Sequence, residues 1–204
     1  MDRRFCHFTF ILFAAALFLC FSGCQGKNPA SVPEYQEIAS SYAFDVSDLN
    51  KIMENIDCSF VALIEKELRT DYDNWAMPTT IYAVKVMGNI KGELPVNRTI
   101  EIAKYGGLSE DKKTYFANSD DVSLEIGKLY AMNVFFPLNP NKPPLSSLGC
   151  YSNILLEDSV NGRLKQGAIA PEALNTSEIV QRYRAAYQTW LAKEAASENQ
   201  QDQS

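Results

Sequence analysis

The chain has 204 residues, of which 46 % are apolar and 22 % charged, and carries a net charge of −6. That composition supports one globular core with tails, and the acidic balance excludes nucleic acid as a partner class, because phosphate binding needs a basic footprint. The single histidine, His7, lies in an apolar leader, so the chain beyond it has none for Ser-His-Asp or Cys-His catalysis, an HExxH zinc site or a histidine general base.

Arg3 and Arg4 precede a nearly unbroken apolar run from Phe8 to Phe21, which ends in Ser22, Gly23 and Cys24. These are the charged, apolar and small-residue parts of a secretory signal over residues 1–23. The run is shorter than the roughly 20 residues that a membrane-spanning helix needs, and the polar stretch Gln25-Gly26-Lys27-Asn28-Pro29 follows at once. Phe21-Ser22-Gly23-Cys24 resembles the lipobox of bacterial lipoproteins, with Phe21 where that family prefers leucine. The resemblance implies cleavage before Cys24 and lipidation of its thiol. The protein would then sit on the extracytoplasmic face of the cell membrane, because two acyl chains anchor a protein stably. An ordinary secreted protein cut near Gly23 is the other reading; Leu19-Cys20 fits less well, since no small residue precedes Cys20. Residues 1–23 contain Asp2, Arg3 and Arg4, a net +1, so the chain from Cys24 onward carries −7.

Residues 24–44 are polar, with Pro29 and Pro33, and read as a lipidated tether. Ser47 to Glu54 opens with a capping residue and spaces Leu49, Ile52 and Met53 helically, which predicts a short helix. Cys58–Leu68 reads as the first strand, with Phe60, Ala62 and Ile64 on one face and Val61 and Leu63 on the other. Arg69–Pro78 is a polar connection. Tyr82, Val84 and Val86, then Ile100 and Ile102, alternate with Ala83, Lys85 and Glu101, and the turn text Asn89-Ile90-Lys91-Gly92-Glu93-Leu94-Pro95 separates them, so a long hairpin is expected.

Residues 104–121 read as an irregular excursion and 122–126 as a short alternating piece. Leu129–Pro137 reads as the fourth strand, Asn139–Pro144 as a loop, Tyr151–Glu157 as the fifth strand and Val160–Arg163 as a turn. Asn175 and Glu178 have capping-box spacing. They precede one apolar stripe of Ile179, Val180, Tyr183, Ala186, Tyr187, Trp190 and Leu191. Such a helix either docks on its own domain or meets a partner. The expected divisions are a barrel domain over 45–170, a helix over 171–195 and a disordered tail over 196–204.

Five short strands with flanking helices suggest a mainly β, OB-like barrel with a short N-terminal helix and a C-terminal amphipathic helix. The ordered pattern is Asp57…Val61-Ala62-Leu63-Ile64, Thr80-Ile81-Tyr82-Ala83-Val84-Lys85-Val86, Ile90-Lys91-Gly92, Ile100-Glu101-Ile102 and Leu124-Glu125-Ile126-Gly127-Lys128-Leu129-Tyr130. It resembles a group of bacterial secreted and lipoprotein domains similar to the OB-type barrel of tissue inhibitors of metalloproteinases. The resemblance spans roughly residues 45–165 and implies the five-stranded TIMP-like barrel but no settled activity. The eukaryotic inhibitors chelate a protease zinc through an N-terminal cysteine; the matching residue here is Cys24, which the lipobox assigns to acylation.

With Cys24 lipidated, Cys58 and Cys150 remain, an even pair outside the membrane that reads either as a disulfide or as two buried thiols. Tyr72, Trp75 and Met77 form either a binding loop or a cap on the barrel end. No phosphate-binding loop or CxxC is present, and no metal or cofactor is expected. The expected role is a non-catalytic module that binds or modulates another protein of the cell envelope. The alternative is a small hydrolase of envelope polymers that uses two carboxylates.

Overall fold

In the computed structural model, the alternating text from Cys58 to Tyr105 becomes three antiparallel strands around which everything else is placed. The described residues are 32–39, 41, 43–73, 76–118, 121, 123–137, 145–147, 152–165 and 174–201. In chain order the elements are β1 (Glu34–Glu37), α1 (Leu49–Asn55), β2 (Cys58–Tyr72), β3 (Pro78–Lys91), β4 (Thr99–Tyr105), β5 (Gly107–Leu108), β6 (Thr114–Ala117), β7 (Leu129–Phe135), β8 (Leu145–Ser147), β9 (Asn153–Leu155), α2 (Asp158–Lys165) and α3 (Glu178–Gln201). The fold is mainly β, with two sheets and three helices among the described residues.

The larger sheet runs β2-β3-β4-β8-β7-β9, and β2 also pairs with β7. All of these pairings are antiparallel except β4 with β8. The β2–β3 ladder shifts register four times, between Ser59 and Phe60, Val61 and Ala62, Ile64 and Lys66, and Glu67 and Arg69. Each shift inserts an unpaired residue and sharpens the local twist. The coiled strand can then hold β3 along one edge and β7 along the other.

Two cores flank this sheet. On one face Phe60, Ala62 and Ile64 meet Tyr82, Val84, Val86, Ile102, Tyr130, Met132 and Val134, with Ile100 packed beside them. The inward set expected from alternation is therefore the set observed. On the other face Val61, Ile90, Leu129 and Ala131 meet Ile52 and Met53 of α1 and Val180, Tyr183 and Ala186 of α3. The stripe on α3 docks on its own domain, with Tyr187 and Trp190 at its margin and Leu191 exposed.

Polar contacts fix the helices. Asp48, rather than Ser47, caps α1 by accepting the Asn50 N–H at 2.8 Å, while Ser47 bonds Asp45 instead. The Lys91 ammonium donates to the carbonyls of Met53 and Ile56 at 2.6 Å each, at the C-terminal end of α1, and lies 4.3 Å from the centre of the Trp190 ring. A cation suits both the orphan carbonyls of a helix end and an aromatic face. The cap of α3 is Ser177, whose hydroxyl accepts the Val180 N–H at 3.2 Å. The carboxylate of Glu157 takes the Ser177 hydroxyl at 2.7 Å and the Ile179 N–H at 3.0 Å. Asn175, the expected cap, instead accepts from Arg184. The capping acid comes from a distant part of the chain, so spacing within the helix could not reveal it.

Several expectations are corrected. Gly107–Leu108 and Thr114–Ala117, read as an irregular excursion, form a hairpin, and Glu34–Glu37, read as tether, pairs parallel to β6 to complete a second sheet, β1-β6-β5. Strands of two to four residues carry no alternation long enough to see. Asp158–Lys165, read around Val160–Arg163 as a turn, is a helix, because Val160 reaches the second core. Leu145–Ser147 forms β8 beside β4, a strand the sequence reading lacked, and Ser123–Ile126 form none. The fifth strand shortens to Asn153–Leu155. The tail expected to be disordered from residue 196 is helical to Gln201: its alanine, glutamate and glutamine residues favour helix, and Ser197 and Asn199 bond back to the carbonyls of Glu194 and Ala195.

Val84 is fully buried and Lys85 half-buried on the opposite face. Val84→Ala removes two buried methyls and leaves a cavity, for a loss of about 2–3 kcal/mol. Lys85→Ala is expected to change stability by less than about 0.5 kcal/mol. Thermal melts of both variants check the register: equal losses would mean that β3 presents its other face to the core.

Candidate functional site

Two hairpin turns from separate sheets stand side by side at one end of β3. The β2–β3 turn is closed by Asp73, whose N–H donates to the Met77 carbonyl at 3.2 Å and whose carboxylate accepts the Met77 N–H at 2.9 Å, with Ala76 in the left-handed region at φ 58°. The β5–β6 turn is closed by Ser109, whose N–H donates to the Thr114 carbonyl at 2.7 Å. Inside it the Asp111 carboxylate accepts from the Ser109 hydroxyl at 2.7 Å and the Lys113 N–H at 3.1 Å. Those bonds, the Ser109 hydroxyl first, hold the Asp111 carboxyl below the usual carboxylate range.

Gly106 and Gly107 allow the second sheet to sit against the first. Their φ angles are 104° and 136°, and a Cβ on them would stand 2.7 Å from the Phe116 carbonyl oxygen and 2.2 Å from the Thr80 hydroxyl. No side chain fits either position. Thr80 donates to the Gly106 carbonyl at 2.7 Å, and the Tyr72 hydroxyl donates to the Leu108 carbonyl at 3.1 Å. The two turns are thereby held as a pair.

Between them lies an open groove of about 530 Å³, lined by Ala76, Met77, Ser109, Glu110, Asp111, Thr114 and Phe116. Glu34 and Gln36 of β1 stand opposite Thr114 and Phe116 in the ladder, so they share the sheet face that lines the groove. The groove therefore has an apolar floor, from Met77 and Phe116, and an acidic rim.

Of the residues singled out from sequence, Met77 lines this groove, Tyr72 ties the turn to β5, and Trp75 lies outside the described residues. Glu34, Glu110, Asp111 and Phe116 escaped sequence reasoning because they come from segments that read as tether and loop. Cys58 is a buried free thiol, and burial pushes its pKa up. Cys24 and Cys150, the lipidation site and the other half of the expected disulfide, lie outside the described residues. Among the described residues no cluster of histidine, cysteine or carboxylate side chains has the form of a metal site, and no helix is long and apolar enough to cross a membrane.

Behind the groove sits a buried ion pair. The Lys104 ammonium donates to Asp121 and, at 3.1 Å, to the Asn153 side-chain carbonyl, which also takes the Ser152 hydroxyl at 2.7 Å. The Lys104 and Asp121 side chains are 10 % and 4 % exposed. Burial raises the Asp121 pKa, opposed by the charge and hydrogen bond of Lys104. Nearby Tyr82 is also pushed up, first by its burial. The pair ties β4 to β9 and to the segment that leads into β7.

Lys104→Met is expected to cost about 3–5 kcal/mol at pH 7, because it strands a buried carboxylate. The sign with pH follows from the raised Asp121 pKa. A folded pKa above the unfolded value means that the native state binds the proton more tightly. The penalty on the charged form is then full above the folded pKa and fades as pH falls through it. Denaturant melts of Lys104→Met at pH 7 and near pH 4.5 should show the loss shrink on acidification; a constant loss would place the charge of Asp121 elsewhere.

Neither any protein-family model nor any curated protein sequence matches the chain.

Proposed function

We propose that this protein is a lipid-anchored, extracytoplasmic lipoprotein whose domain is an OB-like, TIMP-like barrel that binds another protein of the cell envelope without catalysis. The leader and Phe21-Ser22-Gly23-Cys24 support the anchor. The strand order β2-β3-β4-β8-β7, with β7 back against β2, supports reading the larger sheet as a closed five-stranded barrel. The lipobox gives Cys24 to a lipid, so this reading places the protein's action on another surface than the N-terminal cysteine.

The observation that carries the binding role is the groove between the two turns. It lies where the N-terminal segment joins the domain, since the Glu34 N–H donates to the Lys113 carbonyl at the end of the β5–β6 turn at 2.7 Å. Cys24 and Glu34 are ten positions apart, and ten residues of chain span at most about 35 Å. A lipid on Cys24 thus keeps the groove within reach of proteins at the membrane surface. The rival hydrolase reading needs a carboxylic acid with a raised pKa. The acid so shifted, Asp121, is buried against Lys104, and the groove acid Asp111 is shifted the other way, which weighs against that reading.

Cys24→Ala is expected to leave the protein unprocessed or to release it from the membrane fraction; unchanged processing and retention would remove the anchor from this account. For the binding role, a photocrosslinking residue at Met77 should trap a discrete adduct in intact cells. The same residue at the exposed Gln188 of α3 should not. Equal adducts from both positions would count against the groove.

A further inference from the structure

The second sheet ends in an open edge. β1 is terminal in the order β1-β6-β5, and all four of its residues are exposed. The Glu34 N–H donates to the Lys113 carbonyl and the Ile38 N–H to the Ala117 carbonyl. In a parallel ladder the donors alternate, so Glu34, Gln36 and Ile38 turn their backbone groups toward β6, and Tyr35 and Glu37 turn theirs outward. Nothing among the described residues pairs with that outer edge.

Edge strands invite another strand unless something deters it. On β1 the deterrent is charge. Glu34 and Glu37 would face the same acids on a second copy, which disfavours self-pairing. They attract a strand of the opposite sign. The groove continues this bias: Glu34 shares its face, Glu110 and Asp111 form its rim, and Asp73 closes the adjacent turn, against the two cations Lys112 and Lys113. The Lys113 ammonium is itself 3.6 Å from the Asp111 carboxylate. Met77 and Phe116 supply an apolar floor on which the stem of a lysine or a valine side chain packs.

We propose that the partner contributes an extended, lysine-rich and apolar segment that adds as a strand to the outer edge of β1, with alternate side chains laid toward the acidic groove. This rests on the envelope-binding reading and names the chemistry of the partner. Backbone bonds to Tyr35 and Glu37 supply affinity, and the carboxylates choose the sign of the strand.

The test uses the full chain purified in detergent, with empty micelles as blank, and a fluorescein-labelled (Lys-Val)3 peptide read by anisotropy. Saturable binding is expected, weakening roughly tenfold as salt rises from low to molar concentration. Tyr35→Pro removes an outward N–H that no strand among the described residues uses, and edge strands tolerate proline. It should weaken binding by at least about tenfold, the equivalent of 1.4 kcal/mol, with an unchanged melting temperature. Glu110→Lys should weaken binding several-fold, and Glu198→Lys on α3 should not. A peptide N-methylated at alternate residues loses its strand donors without touching the protein, and should not bind. Absent binding, equal binding of (Glu-Val)3, full binding of the N-methylated peptide, or equal losses in Glu110→Lys and Glu198→Lys would each overturn the proposal. Membrane release by Cys24→Ala is read separately, so the anchor and the edge stand or fall apart.

Discussion

The first half of β2 is the constraint on which the rest of the structure depends. Phe60, Ala62 and Ile64 are buried on one face, Val61 on the other, and both edges are hydrogen-bonded, one to β3 and the other to β7. A strand enclosed on four sides needs a sheet that curves around one face and helices that cover the other. The register shifts supply the curvature, and α1 and α3 supply the cover. Lys91 joins the two arrangements. It stands near the end of β3, caps α1 and lies against Trp190 of α3, so three elements meet at one ammonium group.

The second half of β2 behaves differently. From Glu65 its side chains are mostly solvated. The facing arm of β3 is buried from Thr80 to Ala83 and pairs with β4 along its other edge. This part of the hairpin is braced by the second sheet, through the glycine pair 106–107, the Thr80 hydroxyl and the Tyr72 hydroxyl. The groove exists because of that bracing. Its two walls are turns that would splay apart if a side chain stood at Gly106 or Gly107.

Charge is distributed along the same division. The interior is mainly apolar, and the charged pair within it is Lys104 with Asp121. The carboxylates of Glu34, Glu37, Glu110 and Asp111 gather at the groove and on β1, all four residues exposed to solvent. The proposed binding role rests on this acidic rim over an apolar floor, which would select a partner by sign as well as by shape.

The sequence by itself determined the central hairpin, the two-faced burial of β2, the strand from Leu129 and the apolar stripe of the last helix; that this stripe docks on its own domain was decided by the fold. In each case a run of at least seven residues carries its own periodicity, as Tyr82, Val84 and Val86 do against Lys85. It also holds the apolar run and Cys24 on which the proposed anchor rests, because such signals are read from the chain before any folding. Only the tertiary structure decided the second sheet, the β8 pairing, the α2 helix, the Glu157 cap and the groove. Strands of two to four residues are stable only when a neighbouring edge is already present. The acid that caps α3 lies outside the helix it caps. Glu34, Met77, Glu110 and Phe116 become neighbours only after two glycines have turned the chain from one sheet onto the next. Periodicity records how a segment meets the core, and it holds no information about which distant segments the fold will set side by side.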